Sequence, residues 1–117
     1  MVNNKYRAVT KFLFASPTKI RSVACIIKQS ICSEAVIFLT NIPQKGARLI
    51  LKTLKSAISN ALNTNKKISE DMLYVKEIRI DEGPRLKRTW FRGRGRANML
   101  LKRMCHITVV VGEKREK

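Results

Sequence analysis

Arg85, Lys87, Arg88, Arg92, Arg94, Arg96, Lys102 and Arg103 fall within residues 83–112, a stretch that holds no acidic side chain. Guanidinium groups fork onto phosphate oxygens and stack on bases. Repeated at every second or third position, they suit recognition of a polyanion and not bond-making. Trp90 and Phe91 lie near the middle of the run. An aromatic stacked on a base contributes about 1–3 kcal/mol; as an alternative, the two form a local hydrophobic clip that stiffens the segment. Gly93 and Gly95 alternate with Arg92, Arg94 and Arg96. Glycine permits positive φ, so the spacing predicts a bend there. It is no nucleotide-binding loop, because no Lys-Ser/Thr follows and no buried parallel strand precedes it.

Catalytic sets are not apparent. His106, the single histidine, sits inside an apolar run, where a structural or RNA-contacting role is expected. Asp81 and Glu82 precede Gly83-Pro84 without a third ligand, so pairing with arginine or capping the turn is expected before metal binding. Cys25, Cys32 and Cys105 are odd in number and widely spaced, neither a disulfide framework nor a zinc motif. They read as reduced, partly buried thiols. No catalytic residue, cofactor or metal is expected.

The whole chain shares the charge bias. It has 25 Lys and Arg against 8 Asp and Glu, a formal +17 over 117 residues. A compact domain with that charge repels itself, and tolerates it best when a polyanion surrounds it. Nucleic acid is the leading partner and an anionic membrane surface the second. Five of the acids fall at Glu70, Asp71, Glu77, Asp81 and Glu82. A hydrophobic fraction of 44% is ordinary for a folded protein, and the length suits one domain with a modest core. No apolar run approaches the ~20 residues of a membrane-spanning helix. The start MVNNKYR has no apolar signal core or amphipathic leader. A cytosolic product, or one made inside an organelle, is expected.

The positioning elements follow from local patterns. Residues 5–13 are rich in β-branched and aromatic types and predict a first strand. Ser16-Pro17 predicts a helix start with a side-chain cap and proline at the first position; Ile20, Val23, Ala24 and Ile27 then recur at helical spacing. Lys19, Arg21 and Lys28 lie off that stripe. Ser33-Glu34 suggests a second N-cap, with Leu39 and Val36 or Phe38 inward. Asn41-Ile42-Pro43 breaks this helix. A third carries Ala47, Ile50, Leu51, Leu54, Ala57, Ile58 and Ala61 as one stripe, with Lys45, Arg48, Lys52 and Lys55 on other faces; residues 63–67 end it. Residues 73–80 and 105–111 read as strands. The simplest connection between them is one long hairpin over residues 72–111. Two arms of roughly 20 residues at ~3.3 Å per residue reach ~65 Å, well beyond a body ~30 Å across. Such a ribbon is marginal alone, so phosphates are expected to order its tip.

The segment LYVKEIRIDEGPRLKRTWFRGRGRANMLLKRMCHITVVV resembles the hairpin of the large-subunit ribosomal protein twenty-two family, in its bacterial form. The family spacing is carried by Lys87, Arg92, Gly93, Gly95, Arg96, His106, Ile107, Val109 and Val111. SPTKIRSVACIIKQ and LILKTLKSAISNA are further matches, so the resemblance covers nearly the whole chain. Asn98, Met99, Met104, Cys105 and Trp90 depart from the usual types.

The resemblance implies an α+β fold: a three-stranded antiparallel sheet packed with three helices and a long protruding β-hairpin. The chain would be one domain over 1–117, with a body at about 1–80 and 104–112 and the hairpin at about 81–103. It implies a non-enzymatic constituent of the large ribosomal subunit that binds large-subunit ribosomal RNA, supports assembly and lines the nascent-peptide exit tunnel. Neighbouring large-subunit proteins and, transiently, the nascent peptide are the other partners; no membrane is implied, and the place is the ribosome. Expected RNA-binding residues are Arg7, Lys11, Lys19, Arg21, Lys45, Lys87, Arg88, Arg92, Arg94, Arg96, Lys102 and Arg103. The expected tip is Lys87, Arg88, Thr89, Trp90, Phe91, Arg92, Gly93, Arg94 and Gly95. The rival class is a free nucleic-acid chaperone or compacting protein; a membrane-active cationic protein is disfavoured by the absence of a basic amphipathic surface helix.

Overall fold

The computed structural model describes residues 5–67 and 69–113. Strand β1 (Lys5–Leu13) leads into helices α1 (Pro17–Ile27), α2 (Cys32–Asn41) and α3 (Lys45–Thr64). A single 3-10 turn, Glu70–Met72, precedes β2 (Leu73–Glu82), β3 (Leu86–Phe91), β4 (Ala97–Lys102) and β5 (Cys105–Glu113). The fold is α+β. β5 is the centre of a three-stranded antiparallel sheet with β1 and β2 at its sides, and β3 and β4 form a separate two-stranded ribbon.

The core lies between the sheet and the helices. Ile20, Val23, Ala24 and Ile27 of α1 are all buried, as their 3.6-residue spacing requires. α3 buries Ala47, Ile50, Leu54, Ala57, Ile58 and Ala61. Leu51 is only half-buried, and Thr53 takes a core place instead. Its hydroxyl faces that of Thr10 on β1 at 2.8 Å and also reaches the Leu49 carbonyl at 3.2 Å, so no polar group is stranded. On β5 the inward residues Cys105, Ile107, Val109 and Val111 are all fully buried.

Two helix starts differ from the expected caps. Ser16 flanks Pro17 but makes no side-chain cap. Proline at the first position already removes one of the unpaired amides, and the Ser16 carbonyl accepts the Ile20 amide at 3.4 Å. α2 begins at Cys32, with Ile31 flanking it, so Ser33 is inside the helix. The reason is tertiary: Ile31 bridges Tyr74, and Ser30 accepts the Val75 amide at 2.8 Å. The α1–α2 connection thereby covers part of the β2 edge, which would otherwise present unpaired groups. Glu34 still lies in the first turn, where the helix dipole favours it.

The thiols divide. Cys32 and Cys105 are buried, but Cys25 is exposed, since it lies one position off the buried stripe of α1. Burial, and next the Glu70 charge, push Cys32 up to about 12. Burial also raises Cys105. The thiolate is the reacting species, so iodoacetamide on the native protein should alkylate Cys25 alone. Mass spectrometry checks this; native labelling of Cys32 as fast as Cys25 would contradict the packing.

Candidate RNA interface

The hairpin is the continuation of β2 and β5 away from the body. Burial stops at Ile80 on the outgoing arm and at Met104 on the return. No residue of β3 or β4 is buried. The molecule measures 68 × 26 × 20 Å, so the ribbon supplies its long axis.

The register explains how the arm leaves the sheet. It slips by one residue at Lys76, between Val75 and Glu77. It slips again where Gly83, Pro84 and Arg85 face only Arg103 and Met104. Each irregularity gives the outgoing arm one residue more than the return, which bends and twists the ribbon. Proline lacks the amide a ladder needs, which separates β3 from β2. Gly83 donates its amide to the Met104 carbonyl at 2.9 Å. A Cβ on Gly83 would meet Met104 backbone at 3.2 Å, so a side chain here would push the arms apart.

Side chains from the body brace this root. Arg21 donates both Nε and Nη2 to the Ile80 carbonyl, at 3.2 and 2.9 Å. Lys45 donates Nζ to the Phe14 carbonyl at 2.7 Å, and the Lys102 ammonium lies 4.7 Å from the Phe14 ring centroid. His106 accepts the Phe12 amide on Nδ1 at 3.0 Å and meets the Phe12 ring edge-on at 5.0 Å. Phe12 has φ 59, a left-handed conformation unusual for an aromatic. The sole histidine therefore secures an irregularity in β1. Arg85 pairs with Glu82, holding that carboxyl below its usual range, first by the hydrogen bond and then by charge. The acid pair at 81–82 thus meets an arginine, as its position before the turn suggested.

The tip is residues 92–96. The Arg92 amide donates to the Arg96 carbonyl at 2.7 Å. Arg94 and Gly95 take φ 62 and 70, whereas Gly93 is not left-handed. The bend is where the glycines placed it, but the left-handed pair is one glycine and one arginine. The register centres the hairpin on residue 94, and adjacent residues must turn together; an alternating Gly-Arg-Gly pattern cannot put glycine at both.

The charge is uneven along the ribbon. Pairing sets Arg88 and Trp90 on one face with Asn98, Leu100 and Lys102; Lys87, Thr89 and Phe91 share the other with Ala97, Met99 and Leu101. Cations occupy both faces of the outgoing arm, while residues 97–101 of the return carry none. Trp90 and Phe91 are 53% and 83% exposed on opposite faces. They do not clip each other; both rings are presented outward.

The other expected RNA-binding residues are Arg7, Lys11 and Lys19 on the body, all exposed. They are not gathered with the tip cations. Arg21 and Lys45 stand at the hairpin root instead, spending at least part of their donors on backbone carbonyls. Lys5, Lys76 and Arg79 are further cations on the body that the sequence reading did not single out. Alternation in β1 hinted at Lys5; Lys76 needed the bulge, which no local pattern announces.

A sheet-and-helix body carrying an exposed cationic ribbon is the build of a structural scaffold protein. Among the described residues no group of three or more metal-ligating side chains assembles. The family model for ribosomal protein L22p/L17e matches residues 8–112. The chain is 67% identical over 109 residues to the large ribosomal subunit protein uL22 of Treponema denticola, covering 93% of this chain and 92% of that one. It is 59% identical over 108 residues to the protein of the same name from Treponema pallidum, covering 92% and 87%. The Pseudothermotoga lettingae protein of that name is 52% identical over 109 residues, covering 93% and 78%. The chain belongs to the ribosomal protein L22p/L17e family, whose members are structural and non-enzymatic.

Proposed function

We propose that the chain is a constituent of the large ribosomal subunit, in the cytoplasm, that binds large-subunit ribosomal RNA and lines the nascent-peptide exit tunnel with its hairpin. The body, about 1–80 and 104–112, anchors the protein on RNA and beside neighbouring ribosomal proteins. The hairpin, about 81–103, runs inward, with Arg92, Arg94 and Arg96 on RNA phosphates and the tip in transient contact with the nascent peptide. One observation carries this reading. A ribbon with no buried residue, loaded with cations and exposed aromatics, extends a molecule of 26 × 20 Å cross-section to 68 Å. Such a ribbon is poorly stable in water and suits a channel whose walls are phosphate.

Deleting residues 85–98 is expected to leave the body folded, with an unchanged far-ultraviolet dichroism spectrum apart from the lost strands, and still incorporated into the large subunit. In full-length protein, a photoreactive side chain in place of Phe91 should crosslink to nascent peptide in translating ribosomes. If washing ribosomes in high salt stripped the full-length protein while RNA and other proteins stayed, the chain would be a free nucleic-acid-binding protein and the reading would fail.

A further inference from the structure

The end of β1 runs beside the returning arm of the hairpin. Phe12 meets His106, Leu13 pairs with Cys105, and the Phe14 ring lies 4.7 Å from the Lys102 ammonium. The first of these contacts is the irregular one. Thr10 pairs with Ile107 and Leu13 with Cys105, so Lys11 and Phe12 together face His106 alone. That is a bulge, and a left-handed residue in a bulge is usually glycine. Here it is Phe12, with φ 59. An aromatic residue keeps such a backbone only when its surroundings over-determine it. The imidazole does so twice. Its Nδ1 accepts the Phe12 amide at 3.0 Å, and the two rings meet edge to face at 5.0 Å.

The amide bond requires a lone pair on Nδ1, and so a neutral ring with its proton on Nε2. A protonated ring donates from both nitrogens and cannot accept. Imidazole is the side-chain group whose charge changes between about pH 5 and 8. A second partner stands on the other flank. Cys105 and Ile107 point into the core, so strand alternation turns His106 to the face away from the helices. Asp81 of β2 is directly opposite it in the register, and residues so paired share a face with Cβ atoms about 4.5–5.5 Å apart. Asp81 is exposed and has no ion pair among the described residues. The other charges facing the ring are Lys11 in the bulge and Arg79, diagonal to it on β2 and engaged by Glu77 at 3.3 Å. The helices pack on the far face and contribute none.

We propose that His106 is a two-position element that sets the hairpin root. As a neutral ring it holds Phe12 and keeps the end of β1 on the returning arm. As an imidazolium, protonated from solvent, it gives up the Phe12 amide and donates to the Asp81 carboxylate. Residues 12–14 are then freed, and the arm loosens at Lys102. His106 is a positioning residue: it acts on the hairpin through β1, and acid releases what neutral pH holds. The proposal concerns the free chain, so it stands or falls separately from the ribosomal reading.

The test follows the full chain by nuclear magnetic resonance from about pH 8 to about pH 5, the range in which imidazole titrates. The Phe12 amide should shift with the same midpoint as the His106 ring protons. Its protection against hydrogen exchange, corrected for the intrinsic effect of pH, should fall several-fold, and the Phe14 and Lys102 amides should follow. His106→Asn sets a carbonyl oxygen near the place of Nδ1 but does not titrate, so its Phe12 amide should stay protected throughout. Asp81→Asn removes the second partner and should move the midpoint to lower pH. A Phe12 amide that stays protected while the ring titrates would overturn the proposal. An equal loss of protection in the His106→Asn variant would overturn it too, by assigning the change to another group. An unmoved midpoint in Asp81→Asn would remove the second position of the ring, and with it the two-position element.

Discussion

Converting Arg92, Arg94 and Arg96 together to glutamine is expected to lower the salt dependence of ribosomal RNA binding by about 2–3 in log–log slope, at roughly 0.7–0.9 per phosphate released. Between 50 and 200 mM salt that amounts to on the order of 20- to 40-fold in affinity. The three guanidinium groups stand at the far end of the ribbon, exposed and without an ion pair among the described residues. The acids nearest in sequence are Asp81 and Glu82, at the root, and Glu82 is engaged by Arg85. Charge at the tip is thus not committed to the fold. The variant should therefore melt as wild type does. A filter-binding series in increasing salt checks the first claim, and a thermal melt checks the second. An unchanged slope would mean that the tip faces open tunnel and not phosphate, which would move RNA recognition to the body.

Ile107→Ala should have the largest effect on stability. Ile107 is fully buried on the central strand, between Thr10 of β1 and Ile80 of β2. Truncating such a side chain removes its burial and leaves a cavity, costing about 2–5 kcal/mol. A domain of this kind has only about 5–15 kcal/mol in all, so partial unfolding near body temperature is expected. Leu100→Ala, on the ribbon and 44% exposed, should stay within about 0.5 kcal/mol. Urea unfolding of the two variants compares the parts directly. A loss at Leu100 as great as that at Ile107 would show that body and ribbon share one cooperative core.

These two experiments follow the same division that the sequence displays and the fold explains. Ile20, Val23, Ala24 and Ile27 were legible as an inward stripe because helical geometry repeats every 3.6 residues whatever surrounds it. The strand at Lys5–Leu13, the break at Asn41-Ile42-Pro43 and the bend among the tip glycines were legible for similar reasons: proline and glycine act on their own backbone. The hairpin length also followed from counting, because two strands with no helix or tight turn between them leave few other paths.

Contacts between segments far apart in the chain were not legible. Ser33 had the chemistry of a cap, yet α2 starts at Cys32 because Ile31 and Ser30 pair with β2. Arg21 and Lys45 looked like free cations, but the fold brings them to the Ile80 and Phe14 carbonyls. His106 was expected to be structural or RNA-contacting, and only the fold brings the Phe12 amide to it.

The sequence by itself determined the sign and place of the charge, the inward stripes and the existence of a long cationic hairpin. Each depends on residue type and short-range spacing alone. Only the tertiary structure decided which cations brace the hairpin root and which stand exposed along the ribbon and the body. Those outcomes depend on strand register, where a slip of one residue redirects a side chain to the opposite face, and two such slips occur in this hairpin.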